Sequence, residues 1–362
     1  MKIDLIIGAR PNLMKISPII EEIKDVQLKG EKINYRLIHT GQHFDKNMSE
    51  SFFEQLGIPL PDINLGAGGG SQAEQTAKIM IGYESLLNKG LTDFCLVVGD
   101  VTSTMACAIV AKKMNIKVIH VEGGIRSWDL SMPEEINRLV TDSITDYFFT
   151  TSETANENLL KNGISSDRIF YVGNTMIDTL LKNRSKFKKP TIWDKIKLID
   201  KNYIVMTLHR PANVDGEDIL QDLLNEIIAN SKNIPIIFPV HPRTAKQMAL
   251  ISISFPNLYM IEPLGYLEFN YLVERAKLVI TDSGGITEET TVMNIPCMTL
   301  RDNTERPETI ELGTNELLGT NPKAIAPAME KLFSGRWKKG RIPHLWDGKT
   351  AQRIVHSLLH LP

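Results

Sequence analysis

The sequence predicts an α/β protein of two doubly wound, Rossmann-like domains facing a central cleft, and three observations lead there. Short apolar runs ending in Gly, Asp, His or Thr alternate with longer stretches of helical periodicity, as strands and helices alternate in parallel sheets. The runs are apolar on both faces, as expected of strands covered by helices on both sides. At 362 residues the chain exceeds the usual size of one hydrophobic core, so two domains are expected.

In the first half the strands are read in IDLIIG (from Ile3), YRLIHT (from Tyr35), FCLVVGD (from Phe94), KVIHVEGG (from Lys117), YFFTTS (from Tyr147) and IFYVG (from Ile169). Amphipathic stretches such as QAEQTAKIMIGYESLLNK lie between most of them. A second series repeats the architecture but not the sequence: YIVMTLHR, PIIFPVH, LYMIEP, LVITDSGG and IPCMTLR. The stretch from Asn174 to Asn202 is basic, interrupted by Pro190 and free of strand signal, which suits a surface connection. A boundary near Val172 to Thr179 gives an N-terminal domain 1–173 and a C-terminal domain 174–345. Residues 346–362 hold an amphipathic helix, TAQRIVHSLLHL, that is able to pack on either domain and to cross back to the first. Two such domains turn the carboxyl ends of both sheets toward a shared cleft, where ligands of these folds bind.

Composition narrows the classes. Hydrophobic residues at 42%, charged residues at 23% and a net charge of -2 lack the basic excess of nucleic-acid binding, so no nucleic-acid partner is expected. The cysteines Cys95, Cys107 and Cys297 lie far apart and read as buried free thiols. No run approaches ~18 apolar residues and the opening MKIDLIIGAR is too short for a signal peptide. The expected setting is cytoplasmic, with no membrane partner.

The chemistry-bearing residues gather at strand ends. In TDSGGITEET an apolar strand delivers Ser283, Gly284 and Gly285 to a helix start, whose unpaired N–H groups attract a phosphate. Glu289, further along that helix, is suited to accept ribose hydroxyls. The plainer alternative is a tight corner with a glutamate favoured by the helix dipole. In GARPNLMK, Arg10 and Lys15 follow the first strand, and two cations there suit a diphosphate. A bridge within the fold would explain either one alone. Asp100 ends another strand before Thr102, Ser103 and Thr104, where its simplest role is a helix cap.

HVEGGIRSWDLSMPEEINR holds Glu122 at a strand end and Glu134 and Glu135 in a first helical turn. Glu135 and Arg138 are spaced to pair with each other, which leaves Glu122 and Glu134 as cleft candidates. MTLHRPANV offers His209 and Arg210, and FPVHPRT offers His241 and Arg243, again at strand ends. His39 and His43 are given no catalytic role. No P-loop, no GxGxxG after a strand and no HExxH or close Cys/His spacing occurs. A site without metal or cofactor fits best.

Taken in order, GARPNLMK, GDVTST, HVEGGIRS, MPEEINR, TLHRPANV, EPLGYLEF, TDSGGITEE and RDNTERPETIELGTN resemble the non-hydrolysing UDP-N-acetylglucosamine 2-epimerases, whose fold is glycosyltransferase-B-like. The resemblance spans Gly8 to Asn315. It implies a UDP-sugar substrate and a UDP-binding C-terminal domain, with Ser283, Gly284, Gly285 and Arg10 on the diphosphate, Glu289 on the ribose and Phe269 on the uracil. It also implies that Asp100, Glu122, Glu134 and His209 form the acid/base group, supported by Arg126, Arg138 and Arg306, in a homodimer. GARPN stands where GTRPE is usual, HRPAN where HRREN is usual, and the AGGGS segment lacks the arginine expected before Gln72 for a second, activating substrate molecule. The last departure implies weak or absent activation by substrate. The same motifs also fit a UDP-2,3-diacetamido-hexuronate 2-epimerase, a hydrolysing epimerase or a nucleotide-sugar sensor, and less well a glycosyltransferase.

Overall fold

The computed structural model describes residues 1–42, 57–215, 217–240, 242–248 and 255–361, and only the backbone of Arg10, Glu217, Pro242 and Arg243. The chain divides into two compact units, Met1–Lys182 with His344–Pro362, and Asn183–Pro343.

In the first unit β1 (Lys2–Ile7), β2 (Asn34–His39), β3 (Ile63–Asn64), β4 (Phe94–Val98), β5 (Lys117–Val121), β6 (Tyr147–Thr150) and β7 (Ile169–Tyr171) form a parallel sheet. The order is β3-β2-β1-β4-β5-β6-β7, so the chain starts in the middle, moves outward and then crosses to the other side of β1. That reversal opens a crevice beyond the carboxyl ends of β1 and β4. Ile6, Ile38, Tyr83, Cys95, Val97, Cys107 and Val118 pack between the sheet and the helices Gln72–Leu87 and Thr102–Lys113.

The second unit repeats the plan with β8 (Ile204–Thr207), β9 (Ile236–Pro239), β10 (Leu258–Ile261), β11 (Leu278–Thr281), β12 (Cys297–Thr299) and β13 (Asn315–Leu317). Its order, β10-β9-β8-β11-β12-β13, puts the reversal between β8 and β11. Ile204, Met206, Leu224, Phe238, Ile280, Met298 and Leu332 belong to its core. All three cysteines are free and buried. No helix among the described residues is long and apolar enough to cross a membrane.

The structure differs from the sequence reading at the presumed connection. Thr175–Asn183 is a helix of the first unit, whose Met176, Ile177 and Leu180 are buried. The Asp178 carboxylate accepts the backbone N–H groups of Thr350 (3.1 Å) and Ala351 (2.7 Å), the first two residues of helix Thr350–Leu359. Trp346, 1% exposed, donates its indole N–H to Thr151 O at 3.1 Å. These contacts carry the first unit past the expected boundary to Lys182 and group the C-terminal helix with it.

Candidate active site

Two strand ends of the first unit, those of β4 and β5, carry the expected acidic residues Asp100 and Glu122, and the surrounding backbone is tied down by side chains. Asn12, 2% exposed, accepts from the N–H groups of Gly8 (3.2 Å) and Ala9 (3.0 Å) and donates to Val98 O at 2.9 Å. It thereby clamps the turn after β1 to the end of β4. Arg10 begins the helix Arg10–Leu28 that follows, but its side chain lies outside the description.

Glu122 follows β5 with φ +71, a left-handed backbone rarely adopted by a side-chain-bearing residue and costing about 1–3 kcal/mol. Its N–H donates to Phe149 O at 2.8 Å, which keeps that backbone in register with β6. Its carboxylate, 3% exposed, lies 2.5 Å from Lys15 Nζ. Lys15, expected to bind the diphosphate, is in this structure the ion-pair partner of Glu122. Gly124 has φ +82, and a Cβ there would stand 2.4 Å from Ala155 O, so only glycine lets this loop approach the helix Glu153–Lys161.

Asp100 pairs with Arg138 NH2, and Arg138 NH1 lies 2.7 Å from Glu135 Oε2. The cap of helix Thr102–Lys113 is Val101, so Asp100 is not the helix cap its spacing suggested. Glu135 accepts from Ser127 N–H (2.9 Å), the Ser127 hydroxyl (3.0 Å) and Trp128 N–H (3.1 Å), fixing the loop before its helix. Glu134, half-buried in the first turn of Pro133–Ile144, lines a cavity of about 460 Å³ with Gln42, Gln72, Gln75, Thr102 and Asn137.

Arg126, which the resemblance places in support of the acid group, lies within the first unit. Its side chain is 1% exposed and its NH1 lies 2.6 Å from Asp142 Oδ2, so in this structure it braces the fold. Asp142 also faces His120 Nδ1 at 2.7 Å and accepts Gly124 N–H at 3.0 Å, while His120 Nε2 lies 2.8 Å from Gly99 O. Burial opposes the charge of Asp142, but His120 and Arg126 outweigh it and hold the carboxyl below its usual range. The cluster binds the ends of β4 and β5 together, and nothing local in the sequence announces Asp142.

In the second unit, Ser283 precedes helix Gly284–Met293 and its hydroxyl does not cap it. A Cβ on Gly284 would stand 2.6 Å from Glu305 Oε1, so a side chain there would have to displace the Glu305 carboxylate. Glu289 is buried, accepts from Tyr266 OH at 2.8 Å and from Asn270 Nδ2 at 3.5 Å, and is pushed up to about 7 by burial, with Glu288 adding to the effect. Tyr266, Asn270 and the half-buried Phe269 lie on one helix, Tyr266–Arg275. Arg306, expected as a substrate ligand, meets Glu288 through a buried contact of 2.5 Å. His209, after β8, lies with Nδ1 2.8 Å from Asp282 Oδ1. His241 and His43 lie outside the described residues, as does the side chain of Arg243. Among the described residues no group of three or more His, Cys, Asp or Glu side chains is arranged to hold a metal.

A family model described as UDP-N-acetylglucosamine 2-epimerase matches residues 26–359. The chain belongs to the UDP-N-acetylglucosamine 2-epimerase family. A family member from Methanocaldococcus jannaschii, named UDP-N-acetylglucosamine 2-epimerase, is 41% identical over 372 residues covering 99% of each chain. The crystal structure of the M. jannaschii UDP-GlcNAc 2-epimerase in complex with UDP-GlcNAc and UDP is similar with a TM-score of 0.89 at 41% identity, covering 100% of both chains. A Pseudomonas aeruginosa relative named UDP-2,3-diacetamido-2,3-dideoxy-D-glucuronate 2-epimerase is 39% identical over 325 residues, 88% of each chain. Within this 2-epimerase family the two-unit Rossmann-like fold is shared.

Proposed function

We propose that the protein interconverts UDP-N-acetylglucosamine and UDP-N-acetylmannosamine by eliminating UDP and adding it back. The observation that carries this reading is the acid cluster of the first unit: Glu122 on a strained backbone against Lys15, with Asp100 held by Arg138 at the neighbouring strand end. A hydrogen on carbon 2 beside an acetamido group has no adjacent carbonyl carbon to acidify it, so simple removal and return is implausible. Elimination avoids the difficulty. A carboxylate takes the carbon 2 proton, its C–H electron pair forms the C1–C2 double bond, and the C1–O pair leaves with UDP. The product pair is 2-acetamidoglucal and UDP. Protonation of carbon 2 from the opposite face, with return of the UDP oxygen to carbon 1, gives the epimer.

Such a route needs two proton-transfer groups and retained UDP. We assign the proton transfers to Asp100, Glu122 and Glu134. UDP falls to the second unit, its diphosphate on the N–H groups at Ser283, Gly284 and Gly285, its ribose on Glu289 and its base on Phe269. Arg10, His241 and Arg243 are further phosphate ligands in this reading, and the protein acts as a homodimer. The Pseudomonas relative favours a second reading, in which the same carbon 2 chemistry acts on a UDP-diacetamido-hexuronate.

The test is product analysis. Purified protein with UDP-N-acetylglucosamine, without added metal or nicotinamide, should give UDP-N-acetylmannosamine and little free UDP. Stoichiometric UDP and free N-acetylmannosamine would mean hydrolysis. Turnover of the diacetamido-hexuronate alone would transfer the reading to that substrate.

A further inference from the structure

We propose that Asp282 is the positioning residue for His209, and that the pair serves the leaving diphosphate; this rests on the epimerase reading above. Asp282 is 0% exposed and directly follows β11. Its Oδ1 lies 2.8 Å from His209 Nδ1. Its Oδ2 accepts the backbone N–H groups of His209 (2.9 Å) and Arg210 (2.8 Å) and Asn213 Nδ2 (3.1 Å). Arg210 Nε donates to Asp282 O at 3.1 Å, and Asn213 is itself anchored to Leu300 O at 2.9 Å.

So many donors around one buried carboxyl require its ionised form, and an ionised acceptor at Nδ1 requires the hydrogen there. Burial opposes the charge, but the His209 ring and the two N–H groups outweigh it and hold Asp282 below the usual carboxylate range. The tautomer and ring plane of His209 are then fixed, and Nε2 becomes the nitrogen that addresses substrate. The ring is 41% exposed while its partner is sealed, so one end of the pair is locked in the fold and the other reaches solvent.

The location assigns the task. Asp282 is covalently joined to Ser283 and the start of helix Gly284–Met293, and His209 follows β8 across the strand reversal from β11. One residue therefore sets both the histidine and the anion-binding turn. When the C1–O electron pair passes to the diphosphate, Nε2 in its protonated form donates to the oxygen that gains charge. On re-addition that oxygen attacks carbon 1 and the hydrogen bond weakens. Asp282 stabilises the positive ring throughout.

Two measurements on the full-length protein test this. In the ¹⁵N-histidine-labelled wild type, long-range ¹H–¹⁵N spectra should report His209 protonated at Nδ1. In Asp282→Asn the amide presents its NH₂ to Nδ1 and its oxygen to the backbone N–H groups, so His209 should switch to the Nε2–H tautomer. With UDP-N-acetylglucosamine as substrate, kcat should fall by about 10²–10⁴-fold, while KM and UDP affinity change far less. Combining Asp282→Asn with His209→Gln should be no slower than His209→Gln alone. A wild-type His209 lacking a hydrogen on Nδ1 overturns the proposal without any variant. So does an inverted tautomer with unchanged kcat, or single-variant effects that multiply in the double variant. Absence of turnover in a wild type with the expected tautomer would be recognised as failure of the epimerase reading, and the leaving-group role would fall with it.

Discussion

Glu122 and Glu289 are carboxylates constrained in two different ways. Glu122 is held by geometry, on a left-handed backbone against Lys15. Glu122→Gln keeps the shape and removes the proton acceptor, so kcat should fall about 10²–10⁴-fold in an epimerisation assay, while UDP affinity measured by calorimetry stays near the parent value. Glu289 is prepared by burial. Raised from 4.5 to about 7, it favours the protonated folded state, so its contribution to stability is full below its unfolded value and is lost as pH rises through about 7. Ribose hydroxyls favour the ionised form, which gives UDP binding the opposite trend: affinity should rise by about tenfold between pH 6 and pH 8, with proton release visible by calorimetry in buffers of different ionisation heat. Glu289→Gln should flatten that dependence. Strand-end acids were legible because strand ends can be read from local pattern. Asn12, Asp142, Tyr266, Asn270 and Asp282 were not given roles, since each acts through contacts with residues distant in sequence. The same distance in sequence hid the ion pairs of Lys15, Arg126 and Arg306 with the buried carboxylates of Glu122, Asp142 and Glu288.

Among the elements, the apolar strands could be read directly, including the edge strands β7 and β10, but the edge strands β3 and β13 could not. β3 is two residues and β13 three, Asn315–Leu317, and neither supplies the apolar run that marks a strand buried on both sides. Helix Thr175–Asn183 was obscured by the basic stretch after it, although Met176, Ile177 and Leu180 form an apolar face. Asp178→Ala should destabilise the first unit by about 1–3 kcal/mol, because Thr350 and Ala351 lose their acceptor, and hydrogen exchange should quicken along 350–359. At the start of helix Gly284–Met293, Gly284→Ala should leave the melting temperature nearly unchanged, since the Glu305 carboxylate that a methyl would meet ends a flexible side chain. UDP affinity should nevertheless drop, because the methyl occupies the approach to the helix start.

At the scale of the whole molecule, the six strands of the second sheet repeat the order of the first six strands of the first sheet with unrelated sequences. This doubling was visible in the alternation of apolar runs and helical stretches, because parallel strands covered on both faces leave a pattern that does not depend on particular residues. The exact division was less visible, as it depends on Asp178 and Trp346 docking the C-terminal segment on the first unit. The central claim, that the configuration at carbon 2 is inverted by proton transfer during loss and return of UDP, is tested most directly in heavy water. UDP-N-acetylglucosamine incubated with the protein in D₂O and followed by NMR should yield the manno epimer with deuterium at carbon 2 and UDP still attached. Epimerisation with the original hydrogen retained at carbon 2 would contradict the account.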